Sequence, residues 1–117
     1  MTISKEIKSD IVYENEDILA FKDISPVAPI HILIIPKIKN GLTGISKAKE
    51  NHIEILGKLL LGVKDVADKL KIDDGYRIVI NEGENGCQTV KHIHLHLIGG
   101  KQLGWPPGVD GKIKAKF

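Results

Sequence analysis

His92-Ile93-His94-Leu95-His96-Leu97-Ile98 is the stretch that decides how this chain is read. Polar and apolar residues alternate through it, the period of a strand with one face against a core. A rise of about 3.3 Å per residue puts His92, His94, His96 and Ile98 on one side, with neighbours about 6.6 Å apart. Ile93, Leu95 and Leu97 take the other side and pack inward. Three imidazoles therefore share a surface turned away from the apolar layer. Four of the five histidines, these three and His31, fall in expected strands. Histidine is not a preferred strand former, so local propensity does not account for the cluster.

Reading outward, Glu82 to Lys91 is a polar, glycine-containing loop, and Tyr76 to Asn81 is a strand. Before it, Ile53, Leu56, Leu59, Leu60, Val63, Val66, Ala67 and Leu70 recur at three- and four-residue spacings, the stripe of one amphipathic helix. The helix is expected to begin near Ser46 as N-cap and to end at Asp73-Asp74-Gly75. Gly62 inside it costs about 1 kcal/mol relative to Ala. It reads either as a tolerated defect or as a place where another helix, from a second subunit, comes close. Ile30 to Ile35, interrupted only by His31, is the β-branched run of a central strand covered on both faces, and Pro36 stops it. Ile11-Val12-Tyr13 and Ile18 to Phe21 form a hairpin around Glu14 to Asp17, and Asp23-Ile24-Ser25-Pro26 is a turn. This order predicts the α+β class, an antiparallel sheet with its helices on one side.

At 117 residues the chain fits one domain, and 42% hydrophobic residues suffice for its core. A domain this small often gains burial by pairing with a copy of itself, so a homodimer is expected. The net charge is +2, yet only Arg77 among the 17 basic residues is an arginine, and the lysines are scattered. That distribution argues against nucleic acid as a partner. It also means that a bound phosphate is held by backbone N–H groups, histidines and amides rather than by an arginine fork. The single cysteine, Cys87, excludes an internal disulfide and a cysteine-based zinc site. A charged N-terminus and the lack of a long apolar run point to the cytoplasm and to no membrane association.

One strand histidine is ordinarily a half-buried residue with a backbone partner, whereas three in alternation ask for chemistry. A His-x-His pair can ligate zinc, with His31 as a further nitrogen ligand, but the closest acidic residues are Glu82 and Glu84 in the preceding loop. Phosphorus chemistry is the other reading. A neutral imidazole is nucleophilic at physiological pH, and its attack on phosphorus splits one displacement into two easier steps. Flanking imidazoles donate hydrogen bonds to phosphate oxygens. The loop Asn81-Glu82-Gly83-Glu84-Asn85-Gly86-Cys87-Gln88-Thr89 leads straight into the histidines and can turn its N–H groups toward an anion.

Asn81-Glu82-Gly83, Gln88-Thr89-Val90, His92-Ile93-His94-Leu95-His96 and Trp105-Pro106-Pro107-Gly108 together resemble the histidine triad (HIT) superfamily, in its Hint branch of nucleoside phosphoramidate hydrolases. Leu19 to Pro26 and His31 to Lys37 resemble the first half of the same family. The resemblance implies one HIT domain over residues 1–117, with its core at about 7–108 and a C-terminal extension at 109–117. It implies a five-stranded antiparallel sheet with one long helix and a short N-terminal helix, the sheet continuing across a homodimer. His94 is implied as the nucleophile and His96 as a phosphate donor, with His92 and His31 orienting the middle ring. Asp23 is implied to hold the ribose hydroxyls, Phe21 and Ile24 to flank the base, and Asn81, Gln88 and Thr89 to lie near phosphate, sugar and leaving group. Trp105 is implied to lie near the partner's site.

The activity so implied is hydrolysis of the P–N bond of adenosine or guanosine 5′-monophosphoramidates, and of aminoacyl-adenylates, with a purine nucleotide as ligand and neither metal nor cofactor. A dinucleoside-polyphosphate hydrolase and a non-catalytic nucleotide-binding scaffold are the alternatives. Thr2 and Lys39 depart from the family pattern, and the extension ends in Lys112, Lys114 and Lys116 alternating with Ile113, Ala115 and Phe117. Cys87 fills a small-residue slot in the loop, and His52 is expected at the surface.

Overall fold

A computed structural model describes residues 10–107. Five strands, β1 (Ile11–Glu14), β2 (Ile18–Lys22), β3 (Ile30–Pro36), β4 (Tyr76–Ile80) and β5 (Leu95–Gly99), and one long helix, α1 (Ile53–Lys69), carry the fold. The strands form one antiparallel sheet in the order β1-β2-β3-β5-β4, so β3 is central and β1 and β4 are its edges. This is the expected α+β, HIT-like sheet. The short N-terminal helix and the C-terminal extension lie outside the described residues.

The two faces of the sheet separate as the alternation requires. Ile18 and Ala20 of β2, Ile32 and Ile34 of β3, and Leu95 and Leu97 of β5 pack beneath Leu59, Val63, Val66 and Ala67 of α1. The opposite face carries a smaller apolar group, Leu19, Phe21 and Ile35 with Leu33 against it. Central β3 is mostly buried on both faces, with His31 and Ile35 of the second face 7% and 5% exposed and Leu33 half-buried.

The helix starts later than expected. Two short 3-10 turns, Ile45–Lys47 and Glu50–His52, precede it. Ser46 does not cap α1, because its hydroxyl and its N–H both donate to the Glu82 carboxylate, at 2.8 and 2.9 Å. His52 is not at the surface either. It is 4% exposed; its Nδ1 accepts from the Lys49 N–H at 3.0 Å, and its Nε2–H donates to the Asn40 carbonyl at 2.9 Å.

Gly62 has a structural reason within a single chain. A Cβ at this position would collide with Cδ1 of Ile18, a fully buried side chain of β2. The close neighbour is the sheet of the same molecule, not a second helix. Gly62→Ala should therefore lower stability despite the helix propensity gained, by about 1–3 kcal/mol from overpacking. Ile18→Val, which removes the colliding methyl, should recover part of that loss; a thermal melt of the four-member mutant cycle reads the coupling. Additive effects would mean that the contact does not constrain the helix.

Candidate active site

The face of the sheet away from α1 carries His31 and His96, with His94 beside them. Across it, Phe21 of β2 pairs with Leu33 of β3, Leu33 with His96 of β5, and His96 with Val79 of β4. His96 thus lies between two apolar neighbours. Burial, followed by the facing imidazoles of His94 and His31, pushes its pKa down from 6.5 to about 4, so that the ring is neutral at physiological pH. The His94 and His96 ring centroids are 5.2 Å apart with planes at 63°, and His31 lies 5.2 Å from His96 on the other side.

The expected strand over the whole triad is shorter than its alternation suggested, for β5 begins only at Leu95. His92 to His94 are held instead by the connection that follows β3. The Ile93 N–H donates to the Leu42 carbonyl at 3.1 Å, and the His92 ring donates from Nε2 to the Pro36 carbonyl at 2.8 Å. His92 is 5% exposed, its Nδ1 is buried without a partner among the described residues, and burial is the main cause that lowers its pKa.

His94 takes its orientation from this irregular entry. Its Nδ1 lies 2.8 Å from the His92 carbonyl oxygen. A carbonyl only accepts, so Nδ1 carries the hydrogen, and in the neutral ring Nε2 keeps the free lone pair. The middle ring is therefore oriented by the main chain of His92 and not by the His92 or His31 rings. Those rings have other partners: His92 has Pro36, and His31 Nε2 lies 2.9 Å from His96 Nδ1.

The loop before the triad is stitched rather than open. The Gln88 amide donates to the Thr43 and Val90 carbonyls, at 2.6 and 3.0 Å, and accepts from the Gly83 N–H at 2.9 Å. Its polar atoms are thereby spent on the loop, so Gln88 braces the segment that leads into the triad. The N–H and hydroxyl of Ser46 hold the Glu82 carboxyl below its usual pKa, tying the far side of the loop to the first 3-10 turn. Cys87 is exposed and adopts a left-handed φ of 65°. Thr89 is exposed at the loop's end.

Asn81 follows β4, and its side chain reaches His96 Nε2 at 3.5 Å. Asp23 follows β2, accepts from the Ser25 N–H at 2.8 Å, and lies 3.4 Å from His31 Nε2. Phe21 packs among Leu19, Leu33 and Ile35, while Ile24, three residues on, is 85% exposed. Trp105 is 65% exposed. A cavity of about 520 Å³ opens at the other end of the sheet, between Ile30, Ile72, Tyr76 and Leu103, and holds none of the triad.

Sequence spacing placed no carboxylate near the triad except Glu82 and Glu84, whereas folding brings Asp23 to it. Asp23, His31 and His96 offer ligand atoms within 4.8 Å of one another. Hydrogen positions decide what this set can do. The Val27 N–H donates to His31 Nδ1 at 3.1 Å, which leaves the neutral ring's hydrogen on Nε2, the nitrogen that faces the other two groups. A nitrogen bearing hydrogen cannot ligate, so the three residues as placed form a hydrogen-bonded chain and do not fit a metal.

The HIT domain family matches residues 4–103. A "14 kDa zinc-binding protein" of Zea mays is 63% identical over 106 residues, covering 91% of this chain and 83% of that one. "Adenylylsulfatase HINT1" of Arabidopsis thaliana is 59% identical over the same share of this chain and 72% of its own. Among solved structures, a HIT family hydrolase from Legionella pneumophila superposes with a TM-score of 0.84 at 43% identity, covering 90% of this chain and 93% of that one. A histidine triad protein from Clostridium difficile gives 0.79 at 36% identity, covering 86% of each. With matches spanning nearly the whole chain at these identities, the chain belongs to the histidine triad family, in its Hint branch.

Proposed function

We propose that the chain is a purine nucleoside phosphoramidase, hydrolysing adenosine and guanosine 5′-monophosphoramidates and aminoacyl-adenylates through a nucleotide carried on His94. The observation that supports this reading above others is the 2.8 Å bond from His94 Nδ1 to the His92 carbonyl, which leaves Nε2 unprotonated on the open face. Solved relatives are named HIT family hydrolases, and one curated relative's name places an adenylyl group in that protein's reaction.

In this mechanism His94 Nε2 bonds to the α-phosphorus as the P–N bond of a phosphoramidate, or the P–O bond to the acyl group of an aminoacyl-adenylate, breaks. The bonding pair leaves with the amine nitrogen, which takes up a proton from solvent, or with the oxygen of the released carboxylate. Water then attacks the phosphorus, the bond to His94 breaks, and nucleoside monophosphate and a proton are released. His96 donates to a phosphate oxygen, and His31 acts on His96. Asp23 accepts from the ribose hydroxyls, Phe21 and Ile24 flank the base, and Asn81 and Thr89 approach phosphate and sugar. Gln88 serves by bracing the loop. The single cysteine is consistent with the cytoplasm as its compartment.

We read the reaction as metal-independent, although two curated relatives are named zinc-binding. Turnover of adenosine 5′-phosphoramidate should survive a strong chelator, and the purified protein should hold no stoichiometric zinc. Loss of activity on chelation would reverse this reading.

Intact-mass analysis after brief mixing with that substrate should show a gain of one nucleotide, located on His94. His94→Asn should bind AMP, form no adduct and lose turnover by about 10⁴-fold or more. Full activity in that variant would sink the assignment.

A homodimer completes the reading. Edge strand β4 leaves Tyr76, Ile78 and Ile80 exposed at 38, 41 and 37%. Ile53, Leu60 and Leu61 are also uncovered on α1; a second copy seated against these apolar residues would bring its Trp105 near this site. Light scattering should give twice the chain mass, and Ile78→Asp should give single chains. A wild-type protein that stays monomeric at millimolar concentration would refute the pairing.

A further inference from the structure

Val27 lies in the turn between β2 and β3, with its side chain 62% exposed and its backbone N–H turned inward onto His31 Nδ1 at 3.1 Å. Only an unprotonated nitrogen accepts that bond, so the neutral His31 ring keeps its hydrogen on Nε2. That hydrogen lies toward His96 Nδ1, 2.9 Å away, with Asp23 Oδ2 a more distant second acceptor at 3.4 Å. Two ring nitrogens in contact share one hydrogen. Since His31 supplies it, His96 Nδ1 is the acceptor and the neutral His96 ring carries its own hydrogen on Nε2. Asn81 then meets His96 Nε2 through its carbonyl oxygen, because the oxygen and nitrogen of an amide have the same shape and the hydrogen-bond network decides between them.

We propose that the Val27 backbone N–H is a positioning group for the reaction: through His31 it fixes the proton of His96 on Nε2, so that a neutral imidazole presents N–H to the phosphate while His94 attacks. This rests on the phosphoramidase reading for its use, though not for its geometry. The pKa of His96, held near 4, is consistent with a ring that donates without a positive charge. Ordinarily the hydrogen of a neutral imidazole can sit on either nitrogen, and only the Nε2–H form serves here. The chain Val27 N–H to His31 to His96 removes that choice before substrate arrives, in the way that preorganised donors act at a developing oxyanion.

The test is a long-range proton–nitrogen correlation spectrum of protein labelled with ¹⁵N-histidine at neutral pH, which reports the tautomer of each ring directly. Wild type should show His31 and His96 both as Nε2–H. His31→Gln, whose amide N–H can take the place of the Nε2 donor, should keep His96 as Nε2–H and recover most of the kcat that His31→Met loses. His31→Met, which has no donor, should release His96 into a mixture of tautomers. Its kcat should fall by ~10- to 100-fold with KM little changed, as when an oxyanion donor is partly lost. Val27→Pro deletes the N–H, within the limits of a proline's fixed φ, and should give mixed tautomers at both rings.

Wild-type His96 as Nδ1–H would overturn the proposal. So would His31→Met and Val27→Pro spectra, with kcat, indistinguishable from wild type. If either variant fails to fold, the wild-type spectrum and the remaining variant decide. Protein that turns over no phosphoramidate would defeat the functional reading, while the spectra would still judge the proton placement.

Discussion

The antiparallel register of β3 against β5 is the constraint from which the site follows. Leu33 faces His96 and Ile34 faces Leu95, so one strand pair delivers an apolar row to the helix and an imidazole row to the open face. A slip of one residue would exchange those rows, burying His96 under α1 and exposing Leu95 and Leu97. The core under α1 therefore specifies the active face as firmly as any contact within it. His31 sits on the same side of β3, which is why residues 65 positions apart meet at 2.9 Å.

Within that frame the main chain does what charged side chains do in many phosphate sites. Carbonyls of His92, Pro36 and Asn40 accept from His94, His92 and His52, and the Val27 amide donates to His31. Each histidine has its proton placed by backbone, or by a neighbour whose proton is so placed. The one arginine, Arg77, is occupied with the Gly104 carbonyl at 2.7 Å. Apart from the Asp23 carboxylate, the site is built from neutral donors and one lone pair, which suits the reaction proposed above.

Much of this was legible in the sequence, because β2, β3, β4 and the second half of α1 obey simple periods. The departures share a cause: each depends on a contact between distant segments. Ser46 looks like a cap until Glu82, 36 residues away, claims both of its donors. His52 looks exposed because nothing local shows that Asn40 turns its carbonyl toward it. The alternation of His92 and His94 is that of a strand, yet the connection after β3 captures them before the ladder begins. Likewise the bracing of the loop by Gln88 shows only once the position of Thr43 is known.

Gly62 and Ile18 meet where α1 crosses the sheet, a methyl seated in a gap where a side chain is missing. Such a fit works as a key in a notch. The helix can neither slide along its axis nor roll about it without driving that methyl into backbone, and tightly packed interiors do not yield by small amounts. The helical layer is thus a fixed bed. Whatever adjustment the nucleotide proposed above demands on entering or leaving falls to the opposite side, to the turn that carries Asp23 and Val27 and to the stitched loop that ends at Thr89.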